Sequence, residues 1–323
     1  MATAYLLCRV LDNIEDCQQP FEWQEKRFTE FSAMLDEPRL AHETLAFWNH
    51  ERWPGLTADE QKLMAPDGGH PLWQIYEQIP EPARSSIKHW TSVMAAGMGG
   101  SQKSRQGLRT RRYNGVRLLA NVDDYDRYCY YVAGTVGHLA TELANYHYHF
   151  DENVAEALLA TCEACGRGLQ KTNIVKDFVK DLRRGISYLP DQWLKEVNYQ
   201  PLSLAGASPI WSFKVIANVL SELRDAADYV LTLPYTARGY RLASLMCLLP
   251  AYQTLLLAVR NRERLFSADH QFKISRLTMA KCLLDSRSMI ADNTAIKQYN
   301  QRLQGVVEEA FVTPEFERHP VII

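Results

Sequence analysis

The strongest constraint on the fold of this chain is the spacing of its apolar residues. Apolar side chains recur at intervals of three and four along most of the 323 residues, whereas strict alternation never persists for more than a few residues. The first pattern matches the turn of an α-helix, and the second would be needed for a half-buried strand. The sequence therefore predicts a protein that is nearly all α-helix.

Short segments rich in Gly, Pro and Ser separate the predicted helices, because these residues break helices. The main breakers are the segments 65–71, 166–169, 185–190 and 199–209, and none is long enough for a flexible interdomain linker. We therefore predict one helical domain over residues 1–310 and a C-terminal tail, 311–323. The predicted helices are Ala2 to Asp16, Phe21 to Leu35, Arg39 to Glu51, Ala58 to Met64, Leu72 to Gln78, Pro82 to Gly97, Val122 to Tyr148, Val154 to Arg184, Pro209 to Leu231, Tyr235 to Arg264 and Ile274 to Val307.

The charge balance argues against a nucleic-acid partner. The chain has 36 basic and 38 acidic residues, a net charge of −2, so no global field favours a polyanion. The basic segment 101–117 is compatible with a solvated loop, with a lid over a phosphate-bearing ligand, or with a nucleic-acid arm. An arm of that kind needs stacking aromatic residues beside its charges, and Tyr113 is the single aromatic residue there.

The cysteines and the apolar segments favour a cytoplasmic protein. Seven cysteines are scattered through helical stretches and lack the spacing of a secreted disulfide framework. Cys162 and Cys165 form a C-x-x-C pair without a second pair, so buried small residues explain them better than zinc or redox chemistry. The stretch Leu242 to Val259 is long and apolar but contains Pro250 and several polar residues, which favours a buried core helix over a membrane span.

Three acids stand at the end of the first predicted helix. Asp12, Glu15 and Asp16 are spaced at i, i+3 and i+4, so they lie on one helix face. Such a cluster is either a solvated helix end or half of a metal site.

A second polar stripe lies far downstream, in the segment LQKTNIVKDFVKD (169–181). Gln170, Asn173, Asp177 and Asp181 follow one line along a helix. This line is either a wet face or a second ligand group. Mg²⁺ prefers oxygen ligands and is usually held by one or two carboxylates together with substrate phosphates. Two acidic helices that face each other would therefore suit a Mg²⁺–diphosphate cluster.

The segment YCYYVAGTVG (128–137) combines tyrosines with two glycines inside a predicted helix. Tyr128, Tyr131 and Thr135 share a face in that helix. Each interior glycine costs about 1 kcal/mol relative to alanine, so a close neighbour should justify Gly134 and Gly137. Helix packing and a ligand wall both remain possible.

Three segments together resemble the diagnostic segments of the squalene and phytoene synthases, and of the squalene synthase branch in particular. They are LDNIED (11–16), YCYYVAGTVG and LQKTNIVKDFVKD. A weaker likeness extends through FSADHQFKISR (266–276). The resemblance implies an all-α, class I isoprenoid (terpenoid) synthase fold, a single helical domain around a central cavity, here without the helices that the family carries upstream of the first motif.

The resemblance also implies an activity. Two molecules of farnesyl diphosphate would condense to presqualene diphosphate, which NADPH would reduce to squalene. Five acids would hold Mg²⁺. The substrate would be bound by Arg9, Gln170 and Asn173, and Tyr128 would be catalytic. Lys273 and Arg276 would contact NADPH. The acids are Asp12, Glu15, Asp16, Asp177 and Asp181.

Two other functions stay open at this point. A relative could stop without reduction and release dehydrosqualene, phytoene or hydroxysqualene, or it could have lost catalysis and serve as a scaffold. We expect a monomer in the cytoplasm, with loose peripheral membrane association because the product is an oily hydrocarbon.

Overall fold

A computed structural model of the chain describes residues 1–103, 110–113, 115–196, 209–262 and 272–312. These residues form two compact units. The first unit takes its residues from Met1–Leu108 and Tyr130–Phe150, and the second from Arg109–Cys129 and Asp151–Ile323. The single domain over residues 1–310 stays a prediction, and most of the predicted tail lies outside the described residues.

Helices make up most of the described chain, as predicted. They are α1 (Ala2–Asp16), α2 (Phe21–Asp36), α3 (Ala41–Trp48), α4 (Ala58–Leu63), α5 (Pro66–Gln78), α6 (Glu81–Lys103), α7 (Val122–Cys129), α8 (Thr135–Tyr148), α9 (Glu152–Arg183), α10 (Asp191–Glu196), α11 (Pro209–Thr232), α12 (Arg238–Arg260), α13 (Arg276–Met289) and α14 (Asn293–Val312). A 3-10 turn covers Pro38–Leu40, and a π-helical segment covers Tyr130–Gly134. The described residues also include three short strands, namely β1 (Thr110–Tyr113), β2 (Val116–Leu119) and β3 (Ile186–Ser187).

In the first unit, α1 forms because its apolar side chains fall on one face. The most buried of them follow the helical spacing and are at most 1% exposed, namely Leu7, Val10, Leu11 and Ile14. The helix ends at Asp16, as predicted. The buried amide of Gln24 in α2 donates to the backbone carbonyls of Glu15 at 2.9 Å and Cys17 at 2.8 Å. These bonds hold the acidic end of α1 against α2.

The predicted uninterrupted helix Val122 to Tyr148 was wrong. The π-helical segment separates α7 from α8, and its wider turn changes the helical period that placed Tyr131 and Thr135 on one face. Within the first unit, Tyr131 packs against α6 at Gly97, where a Cβ atom would overlap the Cβ and Cγ atoms of the tyrosine. Gly97 therefore permits the close contact between α6 and the π-helical segment.

In the second unit, the three strands form a small sheet that the sequence analysis missed. β1 pairs antiparallel with β2, and β2 pairs parallel with β3. The Asn-Gly sequence at 114–115 is a strong hairpin signal, and Gly115 has a positive φ of 84°. Gly185, with φ 77°, ends the turn after α9, and its carbonyl accepts from the Arg117 N–H at 2.9 Å. The sheet therefore fixes the chain that leaves α9.

The main helix pair of the second unit is α9 against α11. The segment 166–169 was counted among the helix breakers, but α9 runs through it, in agreement with the predicted helix Val154 to Arg184. A Cβ atom at Gly168 would lie 3.1 Å from Leu223 Cδ2 and 3.3 Å from Glu222 Cβ. The glycine is thus explained by close helix packing and not by a turn.

A buried charge network lies at this helix contact. The Lys171 side chain of α9 is fully buried, and its Nζ lies 2.7 Å from Glu222 Oε1 and 2.6 Å from Asp126 Oδ1 of α7. Arg167 Nε donates to the same Glu222 Oε1 at 3.0 Å and also pairs with Glu163 on α9. Burying a charge is costly unless it is paired, so these partners fix α7, α9 and α11 to one another.

The remaining differences from the predicted helices concern breakers and caps. Helix α5 begins at Pro66, inside the predicted breaker 65–71, because the first helical position does not need an N–H group. The predicted helix Ile274 to Val307 is two helices, α13 and α14. The Asp292 carboxylate accepts from the Ala295 N–H at 3.0 Å, which caps the start of α14.

Helix α12 contains the long apolar stretch. Among the described residues it is the one helix long and apolar enough to cross a membrane, and 56% of its most apolar window is buried within the protein. This burial favours the predicted role as a core helix.

The substitution Gly97→Ala should destabilise the first unit. We expect a loss of about 1–3 kcal/mol in the free energy of unfolding, because the new methyl group overpacks the contact with Tyr131. The matched control is Gly99→Ala in the same helix, where the added Cβ would lie 3.6 Å from Phe28 Cδ2, an ordinary contact. That variant should be neutral or more stable by up to about 1 kcal/mol. Urea unfolding measures both, and equal effects would contradict the packing argument.

The substitution Glu222→Gln should destabilise the second unit, because it leaves Lys171 and Arg167 without their shared carboxylate. We expect a loss of about 3–5 kcal/mol. The control is Glu308→Gln, which removes a carboxylate whose ion pair with Arg224 is about half exposed. That loss should stay below about 1 kcal/mol. Urea titrations compare the two variants, and a control loss as large as that of Glu222→Gln would refute a special role for burial.

Candidate functional site

The first acidic group lies on the last two turns of α1. Asp12, Glu15 and Asp16 are all partly buried and lie on one face, as their spacing predicts. Arg9, one turn earlier, donates from Nη1 to Asp12 Oδ2 at 2.9 Å and from Nη2 to Glu60 Oε1 at 3.0 Å. The arginine therefore links the acidic face of α1 to α4.

Asp12 is the carboxyl group with the most perturbed acidity in this part of the chain. Burial raises its pKa to about 6, the nearby Arg9 lowers it, and the neighbouring Asp16 raises it further. Burial and a like charge both disfavour the ionised form. A divalent cation bound at this face would offset both effects, so this face fits a Mg²⁺ site.

The second acidic group lies along α9. Because the helix continues to Arg183, Gln170, Asn173, Asp177 and Asp181 form one stripe, as predicted. None of the four is buried, so the stripe is open to solvent or to a ligand.

A lysine contacts the centre of this stripe. Lys176 Nζ donates to Asn173 Oδ1 at 2.9 Å and lies 3.3 Å from Asp177 Oδ2. The sequence analysis did not assign Lys176 a role. Its cation resembles Arg9 in the first group, since each acidic group has a basic side chain within one helical turn.

Tyr128 packs against the ring of Tyr188 in the second unit. It lies on α7, is 4% exposed, and stacks on Tyr188 with the ring centroids 4.4 Å apart and the planes 18° from parallel. Tyr188 directly follows β3, so the strand that leaves α9 supplies this ring. The sequence analysis missed Tyr188, because it is distant in sequence and its stacking depends on the small sheet.

Lys171 is the other important residue that the sequence analysis missed. It lies inside the LQKTNI segment, but only its neighbours Gln170 and Asn173 were assigned roles. A signal was available: Lys171 shares a helix face with Ile174, Val175 and Phe178, all of which are buried. A lysine on a buried face requires carboxylate partners.

The two basic residues assigned to NADPH lie at the start of α13. Lys273 precedes the helix, Arg276 is its first residue, and both are exposed. Ser275 caps the helix by accepting from the Thr278 N–H at 3.0 Å. Their exposure is compatible with a phosphate contact or with ordinary surface charge.

A metal site made by protein groups alone is not present in the described parts of the chain, where no three His, Cys, Asp or Glu side chains converge around one point. Mg²⁺ does not need such a cluster, because it keeps several waters and is usually held by one or two carboxylates plus substrate phosphates. On each of α1 and α9, the carboxylates are donors of the kind that could hold Mg²⁺ together with substrate phosphates. The cysteines offer no alternative: all seven are free thiols, and Cys162 is buried.

Solved structures of other proteins have a similar fold. The structure of TcSQS in complex with the ligand BPH1237 matches with a TM-score of 0.73 at 22% identity, covering 96% of this chain and 87% of that one. A dehydrosqualene synthase in complex with a ligand matches with a TM-score of 0.53 at 17% identity, covering 89% and 85%. The predicted all-α isoprenoid synthase fold is confirmed.

The sequence comparisons point the same way. The squalene synthase of Candida albicans is 27% identical over 311 residues, which cover 92% of this chain and 63% of the relative. The chain thus spans less than two thirds of that relative's length. The sequence pattern of the squalene/phytoene synthase family matches residues 1–278, a range that includes both acidic groups and Tyr128. The chain therefore belongs to the squalene/phytoene synthase family.

Proposed function

We propose that this chain is a prenyltransferase that condenses two molecules of farnesyl diphosphate to presqualene diphosphate and reduces this intermediate with NADPH to squalene. The proposal is supported most directly by the two acidic groups, each on one face of a continuous helix within the range of the family match. The squalene synthase relatives favour this branch of the family.

Asp12, Glu15 and Asp16 would bind Mg²⁺ together with a substrate diphosphate, and Arg9 would contact the phosphates of that diphosphate. Mg²⁺, when bound, neutralises the charge that develops on the departing diphosphate. Arg9 already lies 2.9 Å from Asp12, so it would position the carboxylate and add a second cation beside the phosphates.

Asp177 and Asp181 would bind Mg²⁺ and a substrate diphosphate on α9, with Gln170 and Asn173 extending the polar wall. Tyr128 would be the catalytic residue. Its phenol can donate or accept a proton, and its ring can stabilise a nearby carbocation. The stacked ring of Tyr188 limits rotation of Tyr128 and so would keep the phenol in one direction.

The reductive step would use NADPH, and Lys273 and Arg276 would contact its phosphate groups. Both side chains are exposed; Arg276 is the first residue of α13, and Lys273 lies three residues before it. We further propose a monomer in the cytoplasm with loose membrane association, because substrate tails and product are strongly apolar. No nucleic acid takes part in this function.

Product analysis tests the activity. Purified protein is incubated with farnesyl diphosphate and Mg²⁺, with and without NADPH, and the extracts are analysed by mass spectrometry. We expect presqualene diphosphate or an unreduced hydrocarbon without NADPH, and squalene with it. If the same unreduced hydrocarbon forms with and without NADPH, the protein is a synthase that does not reduce its product.

The enzyme function would be contradicted if neither diphosphate nor hydrocarbon is released. This result must hold both for this chain and for a folded preparation that is extended upstream. It would favour the scaffold function instead.

The acidic groups are tested by Asp12→Asn and Asp177→Asn. Each should lower kcat/KM by about 100-fold or more, because each removes stabilisation of charge on the leaving diphosphate. The control is Asp59→Asn on α4, a fully exposed acid paired only with Lys62 at 2.7 Å in the described chain. Diphosphate release measures turnover, and thermal unfolding checks the fold. Loss of turnover in the control, or normal turnover in both test variants, would argue against the assigned roles.

A further inference from the structure

The short helix α7 is tied to the buried charge network of the second unit. It contains eight residues, and Tyr128 is the second to last of them. Asp126, two residues earlier, carries the side chain whose Oδ1 lies 2.6 Å from Lys171 Nζ. Residues at i and i+2 point to nearly opposite sides of a helix. The ion pair therefore holds α7 on the side away from Tyr128.

The lysine end of this ion pair is immobile. Lys171 is fully buried, its Nζ also contacts Glu222 Oε1 at 2.7 Å, and the Tyr125 ring centroid lies 5.1 Å from it. Gly168, one turn earlier, allows the close approach of α11 that brings Glu222 to this point. A buried ammonium group cannot leave its carboxylates without a large desolvation cost, so Lys171 is a fixed reference point.

Other contacts hold the two ends of α7. The Asn121 carboxamide oxygen accepts from the Asp124 N–H at 2.9 Å, which caps the first turn. The last turn continues into the π-helical segment. Neither end contact fixes the rotation of the helix about its own axis. Lateral contacts do, and they include the Asp126–Lys171 ion pair and the Tyr125 ring, which packs edge-on against Trp193 with the centroids 5.7 Å apart. Rotation of α7 would move the Tyr128 ring away from Tyr188, with which it stacks at 4.4 Å.

We propose that Lys171 is a positioning residue for Tyr128 and acts through Asp126. The ion pair sets the rotation of α7, and the rotation of α7 sets the direction of the Tyr128 phenol. Lys171 itself touches neither substrate nor cofactor in this proposal. The consequence for turnover rests on the proposed catalytic role of Tyr128, whereas the consequence for ring position does not.

The test compares two carboxylates of the same network. Asp126→Asn weakens the tether to α7, whereas Glu163→Gln removes a carboxylate that contacts Arg167 on α9 but not Lys171. A 3-fluorotyrosine placed at position 128 reports on its ring by ¹⁹F NMR. We expect the resonance to shift or broaden in Asp126→Asn and to stay unchanged in Glu163→Gln.

Turnover gives the second measurement, at a temperature where both variants are fully folded. Asp126→Asn should lower kcat about 10-fold with KM for farnesyl diphosphate within about 2-fold, in line with the loss from a displaced catalytic group. Asp126→Glu, which restores the charge, should recover most of kcat. Glu163→Gln should leave both constants unchanged.

The outcomes are distinguishable. An unchanged ¹⁹F resonance in Asp126→Asn, or equal shifts in the two variants, would overturn the positioning role. A selective shift in a protein whose wild type shows no turnover would support the positioning of the ring and remove the proposed enzyme function. A selective shift with normal kcat would overturn the link between ring position and catalysis.

Discussion

The second unit depends on how one ammonium group is accommodated in its interior. Lys171 has no access to water, so its charge must be balanced by Glu222 and Asp126, which come from two other helices. An apolar residue at this position could pack in the interior without requiring a carboxylate from either of these helices. A buried ion pair adds little net stability, because desolvation offsets the attraction. Its effect here is geometric, since α7, α9 and α11 must all be in place before the charge is satisfied.

The helices and their polar faces were predictable because they depend on local spacing. α1 ends at Asp16 as predicted, and the stripe from Gln170 to Asp181 follows directly from the helical period. The features that were missed depend on distant parts of the chain. Glu222 is 51 residues from Lys171, and no local pattern links the two. Gly168 was interpreted as a breaker because its packing partner α11 could not be inferred from the segment itself.

The candidate site was predictable in composition but not in its contacts. The acids were identified from their spacing, which suggested a Mg²⁺–diphosphate site as one of two interpretations, and the family resemblance favoured that one. Sequence alone did not reveal that Glu60 shares Arg9 with Asp12, or that Lys176 lies beside Asp177. These cations mean that neither acidic face is a bare cluster of negative charge. Each is a mixed surface of carboxylates and cations, which is the composition that the proposed metal–diphosphate ligand would require.

The order of the chain through the two units has a consequence for synthesis. The first unit is interrupted by residues that belong to the second, and it regains the chain only at Tyr130–Phe150. During synthesis, helix α6 therefore cannot pack on α8 until the strands β1 and β2 and helix α7 have emerged from the ribosome. Neither unit corresponds to one continuous stretch of the gene, so a single cut in the coding sequence cannot separate them into independently expressible fragments.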